Sequence, residues 1–196
     1  MSHLQPNKEN VIRALLKEVE AYIAALPGPG IDELLSGIAR DSRFEDRPTK
    51  MSRVVDVHLA PSLALLEQSY PALAAAIAKA SPILSWGTYT VYNDAEIGRV
   101  FPTSHACASI LGAEAPFRTV DFDLGLFLIA PNVVYRDHSH PAPELYAPLT
   151  GPHGWRFQPD GELVVKLAYE PVWNTPNLPH LTKVGPNPFL CIYAWT

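Results

Sequence analysis

The stretch Tyr135-Arg136-Asp137-His138-Ser139-His140-Pro141-Ala142-Pro143-Glu144-Leu145-Tyr146 decides how the rest of the chain is read. Side chains alternate between the faces of an extended strand, so His138 and His140 share one face, and Glu144 and Tyr146 share one. Between the pairs, Pro141 and Pro143 remove backbone donors and fix φ, which predicts a bend that returns the second pair toward the first. Farther on, His180 follows a second proline-rich segment, where a neighbouring antiparallel strand can supply it. Imidazole and carboxylate donors suit Zn²⁺, Fe²⁺ or Mn²⁺ and leave coordination positions free for water or substrate. His138-x-His140 alone fits an ordinary solvent-facing strand; Glu144, Tyr146 and His180 turn the reading toward a metal.

With 196 residues the chain is read as one domain with a substantial core. A net charge of -5 without a Lys/Arg cluster argues against a nucleic-acid or anionic-membrane partner. Cys107 and Cys191 have no CxxC spacing and are read as thiols in a reducing compartment. No apolar signal segment follows the polar first ten residues, and the longest apolar run, 124–131, is too short for a bilayer. A cytoplasmic location is therefore expected. No nucleotide-binding glycine pattern and no GxSxG occurs.

Along the chain, Val11, Leu15, Leu16, Val19, Tyr22, Ile23 and Leu26 recur at helical spacing, and Pro27-Gly28-Pro29-Gly30 ends that helix. Further helices are expected over 31–40 and over 61–79, the latter restarted or kinked at Pro71, with a loop over 41–53 as the only seam. Beyond Pro82 the texture changes. Strands are predicted over 83–92, 117–129, 132–138, 144–149, 155–158, 162–169, 178–184 and 189–195. In 117–129, Phe117, Val120, Phe122 and Leu124 alternate with Arg118, Asp121 and Asp123. Turns fall at Gly151-Pro152, Pro159-Asp160-Gly161 and Gly185-Pro186-Asn187-Pro188. Many short strands predict an antiparallel sandwich or barrel behind a helical cap. His3, His58 and His105 are assigned to the cap or its loops, and His153 to a turn.

The pattern His138-x-His140-x3-Glu144-x6-Gly151 within a β region is the first signature motif of the cupin superfamily. Together with Tyr135, Tyr146, His180 and Trp195, the chain resembles the cupin-type dimethylsulfoniopropionate (DMSP) lyases, particularly the DddQ group: the motif residues cover 132–195, and the coarse organisation and the helical N-terminal portion match over the whole chain. Two departures stand out: Asn132 replaces the glycine that commonly opens the motif, and the second motif lacks PxG and its closing Asn around His180. The resemblance implies a mainly β fold, a cupin β-barrel (double-stranded β-helix, jelly-roll-like) over 82–196 with a helical N-terminal cap over 1–80, in one cupin domain. It also implies a carbon–sulfur lyase, active as a monomer or homodimer on a small molecule, that cleaves DMSP to dimethyl sulfide and acrylate.

Such a β-elimination needs a base for a weakly acidic C–H and a stabiliser for the enolate-like charge. By resemblance one divalent metal ion (Zn, Fe or Mn) is held by His140, Glu144 and His180, with His138 and Tyr146 in or beside the shell. Tyr135 or Tyr146 is the base, since a nearby cation lowers a phenol's pKa. His138, Trp195 and Tyr135 bind substrate, with Trp195 offering an aromatic face to the sulfonium. Trp86, Trp173 and Tyr193 are expected to be core residues. The competing readings are an Fe²⁺ cupin dioxygenase or isomerase acting on a small carboxylate, and a non-catalytic small-molecule-binding cupin.

Overall fold

The computed structural model describes residues 7–89, 92 and 94–196; His3, Thr90 and Val91 therefore lie outside the described residues. Helix α1 (Lys8–Ala24) is capped by the Asn7 side chain, which accepts from the Glu9 N–H at 3.0 Å. It buries Val11, Leu15, Val19, Tyr22 and Ile23, the stripe expected from their spacing. Burying each of the aliphatic ones contributes about 1.5–3 kcal/mol relative to exposure. Helix α2 (Ile31–Ile38) starts behind Gly30, whose φ of 81° is left-handed. A Cβ there would sit 2.2 Å from the Trp173 ring, so glycine is required by both conformation and space.

After β1 (Arg43–Phe44) comes α3 (Arg53–Leu66), capped by Ser52. It begins well before the predicted Pro61, which it carries inside; the cap residue, rather than the proline, sets its start. The predicted restart at Pro71 is where α4 (Pro71–Ala80) opens, with the proline in its first turn. A short helix α5 (Asp94–Ile97) precedes the remaining strands. These are β2 (His105–Gly112), β3 (Phe117–Arg118), β4 (Asp123–Ile129), β5 (Val134–His138), β6 (Glu144–Pro148), β7 (His153–Phe157), β8 (Val164–Lys166), β9 (Val172–Asn174), β10 (His180–Lys183) and β11 (Phe189–Trp195).

The strands form two sheets, ordered β1-β3-β2-β4-β11-β6-β9 and β5-β10-β7-β8. Alternation sends Leu124, Leu126 and Leu128 of β4, Leu145 and Ala147 of β6, and Ile192 of β11 against α1 to α4. It sends Phe127, Tyr146, Cys191 and Tyr193 inward against Tyr135 and Trp155 of the smaller sheet. The larger sheet is thus covered on both faces, which explains its almost wholly apolar strands. Tyr22 ties cap to sheet by donating to the Pro148 carbonyl at 3.0 Å. Burial, and then Tyr70, push that phenol's pKa up. Asn132, in place of the motif glycine, has φ 62°, a left-handed conformation that asparagine tolerates.

Several expectations are corrected. Among the described residues of 83–92 there is no strand, only a 3₁₀ turn ending at Ile83 and isolated bridges at Ser85 and Gly87. The strand lies instead at 105–112, so His105 opens β2 rather than belonging to the cap, and it is fully buried. Its Nε2 accepts from the Tyr89 N–H at 2.8 Å. His153 is not a turn residue either: it opens β7 and is buried. The predicted strand over 162–169 shrinks to 164–166, and beyond its end Tyr169 is left-handed at φ 70°. The loop over 41–53 contains β1.

Candidate metal centre

Three histidines reach one place by different routes. His138 ends β5, His140 follows in the proline bend, and His180 opens β10, paired in register with His138. The β5–β10 pairing shifts register between His180 and Thr182. One ring nitrogen from each of His138, His140 and His180 lies within 4.8 Å of the other two, and all three residues are buried.

The other ring nitrogens fix the tautomers. Nδ1 of His138 faces the Arg136 carbonyl at 2.8 Å, that of His140 the Ala142 carbonyl at 2.7 Å, and that of His180 the Leu178 carbonyl at 2.9 Å. A carbonyl accepts only, so each Nδ1 carries the proton and each neutral Nε2 presents a lone pair, the usual preparation of a metal-ligating histidine.

Glu144 opens β6 beside this cluster. Its Oε2 lies 3.1 Å from His140 Nε2 and accepts from Asn174 Nδ2 at 2.9 Å. Its Oε1 accepts from Trp195 Nε1 at 2.6 Å. A lone pair on His140 Nε2 facing a carboxylate oxygen at 3.1 Å requires a proton or a cation between them. In the protein alone the proton serves: burial opposes it, but the Glu144 hydrogen bond and charge raise the His140 pKa. Burial likewise opposes the ionised Glu144, yet His140 and His180 hold its pKa below the usual carboxylate range. His138, lowered to about 3 by burial and then by His180, stays neutral and able to ligate. His180 Nε2 is buried without a hydrogen-bond partner, its 3.5 Å separation from Glu144 Oε2 being too long and poorly set for a bond. A divalent cation would satisfy both the orphaned nitrogen and the His140–Glu144 confrontation, so the residues fit one.

The tyrosines flank this centre. Tyr135 is stacked between His138 (3.7 Å, 17°) and Phe101 (3.7 Å, 5°). Tyr146 is buried near Phe127 and Trp155. Burial, and then the Glu144 charge, push both phenols' pKa values above the usual tyrosine range. Trp195 tilts over His140 at 5.2 Å and meets Tyr89 edge-on at 5.7 Å.

Tyr135, His138, His140, Glu144, Tyr146 and Trp195 all line one pocket of about 210 Å³; His180 packs behind it, 4.2 Å from His138. The same pocket is lined by Tyr89, Ser109, Asp123 and Tyr193, none of which the sequence singled out as functional. Tyr193 is buried in the core, as expected, and alternation along β11 also puts it on the pocket side with Trp195. Trp86 is buried in the core and Trp173 packs against it, as expected. Asn174 was also missed. It sits on three-residue β9, in register with Glu144, and only that pairing marks it.

The sequence profile of the dimethylsulfoniopropionate lyase family matches residues 30–191, most of the chain. The chain belongs to the DMSP lyase family. Two solved structures resemble this family member in fold. One, from the crystal structures of the DMSP lyases RdDddP and RnDddQII, is 20% identical, with a TM-score of 0.74 over 96% of this chain and 93% of that one. The other, DMSP lyase DddQ from Ruegeria pomeroyi DSS-3, is 22% identical, with a TM-score of 0.68 over 95% of this chain and 91% of that one. Both share this chain's fold over nearly its whole length. No curated protein sequence matches this DMSP lyase family member. Among the described residues no helix is long and apolar enough to cross a membrane.

Proposed function

We propose that this member of the DMSP lyase family is a metal-dependent carbon–sulfur lyase that cleaves DMSP to dimethyl sulfide and acrylate by β-elimination. One observation carries the reading: three preoriented histidines and Glu144 converge at a pocket bordered by Tyr135, Tyr146 and Trp195. A divalent cation (Zn²⁺, Fe²⁺ or Mn²⁺) held by His140, Glu144 and His180, with His138 and Tyr146 in or beside the shell, would polarise the substrate carboxylate and bring positive charge to the phenols.

The chain's own groups do the rest. Tyr135 or Tyr146, as phenolate, takes the proton from the carbon next to the carboxylate. The C–H pair becomes the new C=C bond, and the C–S pair departs with neutral dimethyl sulfide. The phenol then returns its proton to solvent. Both tyrosines resist ionisation in the protein alone because of burial and Glu144, so a phenolate base requires added positive charge beside it. Trp195 offers its face to the sulfonium and His138 its ring edge to the bound substrate. The setting is cytoplasmic, with a small-molecule substrate.

Anaerobic headspace detection of dimethyl sulfide from metal-loaded protein and DMSP tests the reading. Release without O₂ is expected, ending on chelation. With Tyr135→Phe and Tyr146→Phe, loss of about 10²-fold or more in at least one variant is expected. Full activity in both would remove tyrosine as the base, and strict O₂ dependence would favour an oxygenase.

A further inference from the structure

A second polar group lines the same pocket on adjacent strands: Ser109 of β2, Asp123 of β4 and Tyr193 of β11. The Ser109 and Tyr193 hydroxyls lie 2.9 Å apart. Both donate to Asp123 Oδ2, at 3.3 Å and 3.4 Å. The tyrosine leans there because Gly125 makes room: a Cβ would lie 2.8 Å from the Tyr193 ring and 2.4 Å from the Ala108 carbonyl.

Asp123 is short of partners. Its Oδ1 is buried without a hydrogen bond. Among the described residues it forms no ion pair. Burial raises the carboxyl to about 6, against the two hydroxyl bonds, so it is still mostly ionised at neutral pH. A largely buried carboxylate without a cation is costly unless a cation arrives with the ligand.

The register says where that cation would sit. Asp123 pairs with Trp195 across β4–β11, and Trp195 pairs with Glu144 across β11–β6. The two carboxylates therefore flank Trp195, with backbones about 10 Å apart over two strand spacings. In DMSP, three covalent bonds separate the carboxyl carbon from sulfur, a reach of no more than about 5 Å. A substrate carboxylate at the histidine centre leaves the sulfonium over Trp195, on the side of Asp123.

We propose that Asp123, held by Ser109 and Tyr193, is the counter-charge for the substrate's sulfonium and selects a cationic carboxylate over a neutral one. The inference rests on the lyase reading above. Asp123 is a specificity residue, not the base. The sulfur loses its positive charge as the C–S bond breaks, so this attraction is stronger in the bound substrate than in the transition state, and its removal raises KM without lowering kcat.

The test compares metal-loaded wild type with Asp123→Asn, using DMSP and 4-methylpentanoate, in which a neutral CH replaces the sulfonium sulfur. Asp123→Asn is expected to raise the KM for DMSP about ten-fold or more with kcat no lower than in wild type, while the inhibition constant of 4-methylpentanoate changes less than about two-fold. Equal weakening of both ligands, or an unchanged KM for DMSP, overturns the proposal. If Asp123→Asn does not fold, Ser109→Ala is expected to give the same DMSP-only shift at about three-fold, and no shift there overturns it. If wild type releases no dimethyl sulfide, the lyase reading fails separately. Calorimetric titration of wild type still decides the subsite: DMSP must bind more tightly than 4-methylpentanoate, and equal binding refutes it.

Discussion

His153 makes a quantitative forecast about acid stability. The ring is buried at the start of β7, edge-on to Phe189 at 5.0 Å. Its Nδ1 accepts from the Gly185 N–H at 3.2 Å, and its Nε2 lies 3.4 Å from Thr150 Oγ1. An imidazolium has no acceptor, so protonation breaks the Gly185 bond and buries a charge. Burial accordingly lowers the His153 pKa from 6.5 to about 4, against a small opposing contribution from Thr150. Because the folded value is the lower one, the unfolded chain binds more protons between the two. The stabilisation is complete above about pH 6.5 and is lost as pH falls through about 4. The shift corresponds to about 3 kcal/mol. His153→Gln keeps an acceptor for Gly185 but does not titrate. Urea unfolding at several pH values from about 7 to about 4 is expected to show wild type losing about 3 kcal/mol more than His153→Gln over that range. His138 titrates alike in both proteins and cancels in the difference. A wild-type-minus-variant difference flat to within about 0.5 kcal/mol would refute the argument.

Other outcomes follow from the same contacts. Asn174→Leu removes the donor to Glu144 Oε2 and is expected to weaken metal binding about 10- to 100-fold in a competition titration, with the fold intact by circular dichroism. Trp195→Phe keeps the aromatic face but drops the donor to Glu144 Oε1, with a fall in metal affinity of about ten-fold expected from the same titration. Gly125→Ala drives a methyl into the Ala108 carbonyl and the Tyr193 ring; a loss of about 1–3 kcal/mol should appear as a Tm lower by about 5 °C.

How far the sequence could be read depended on whether a residue's surroundings were encoded near it. The parity of Glu144 and Tyr146 and the bend at Pro141 and Pro143 are local facts, and they lead to the observed wall of the pocket. β4 and β11 were equally visible as dense apolar runs. β2 was not, because Ala106, Cys107, Ala108 and Ser109 are small and weak in strand preference, although the strand sits within the larger sheet. Asp123 was read as the polar half of an alternation, the half usually given to solvent; the face opposite the helices is instead the pocket. Asn174 and His153 owe their roles to partners across strands or loops, which no nearby pattern announces.

The larger sheet's double coverage separates two kinds of evolutionary freedom on the same strands. Leu124, Leu126, Ile192 and Leu145 answer to the helices, whereas Asp123, Phe127, Tyr193 and Tyr146, their immediate neighbours in sequence, answer to whatever enters the cavity. Drift in ligand preference can therefore proceed at every second position while the anchoring of the cap stays untouched, and a library confined to those alternate codons would explore new chemistry without first dismantling the scaffold.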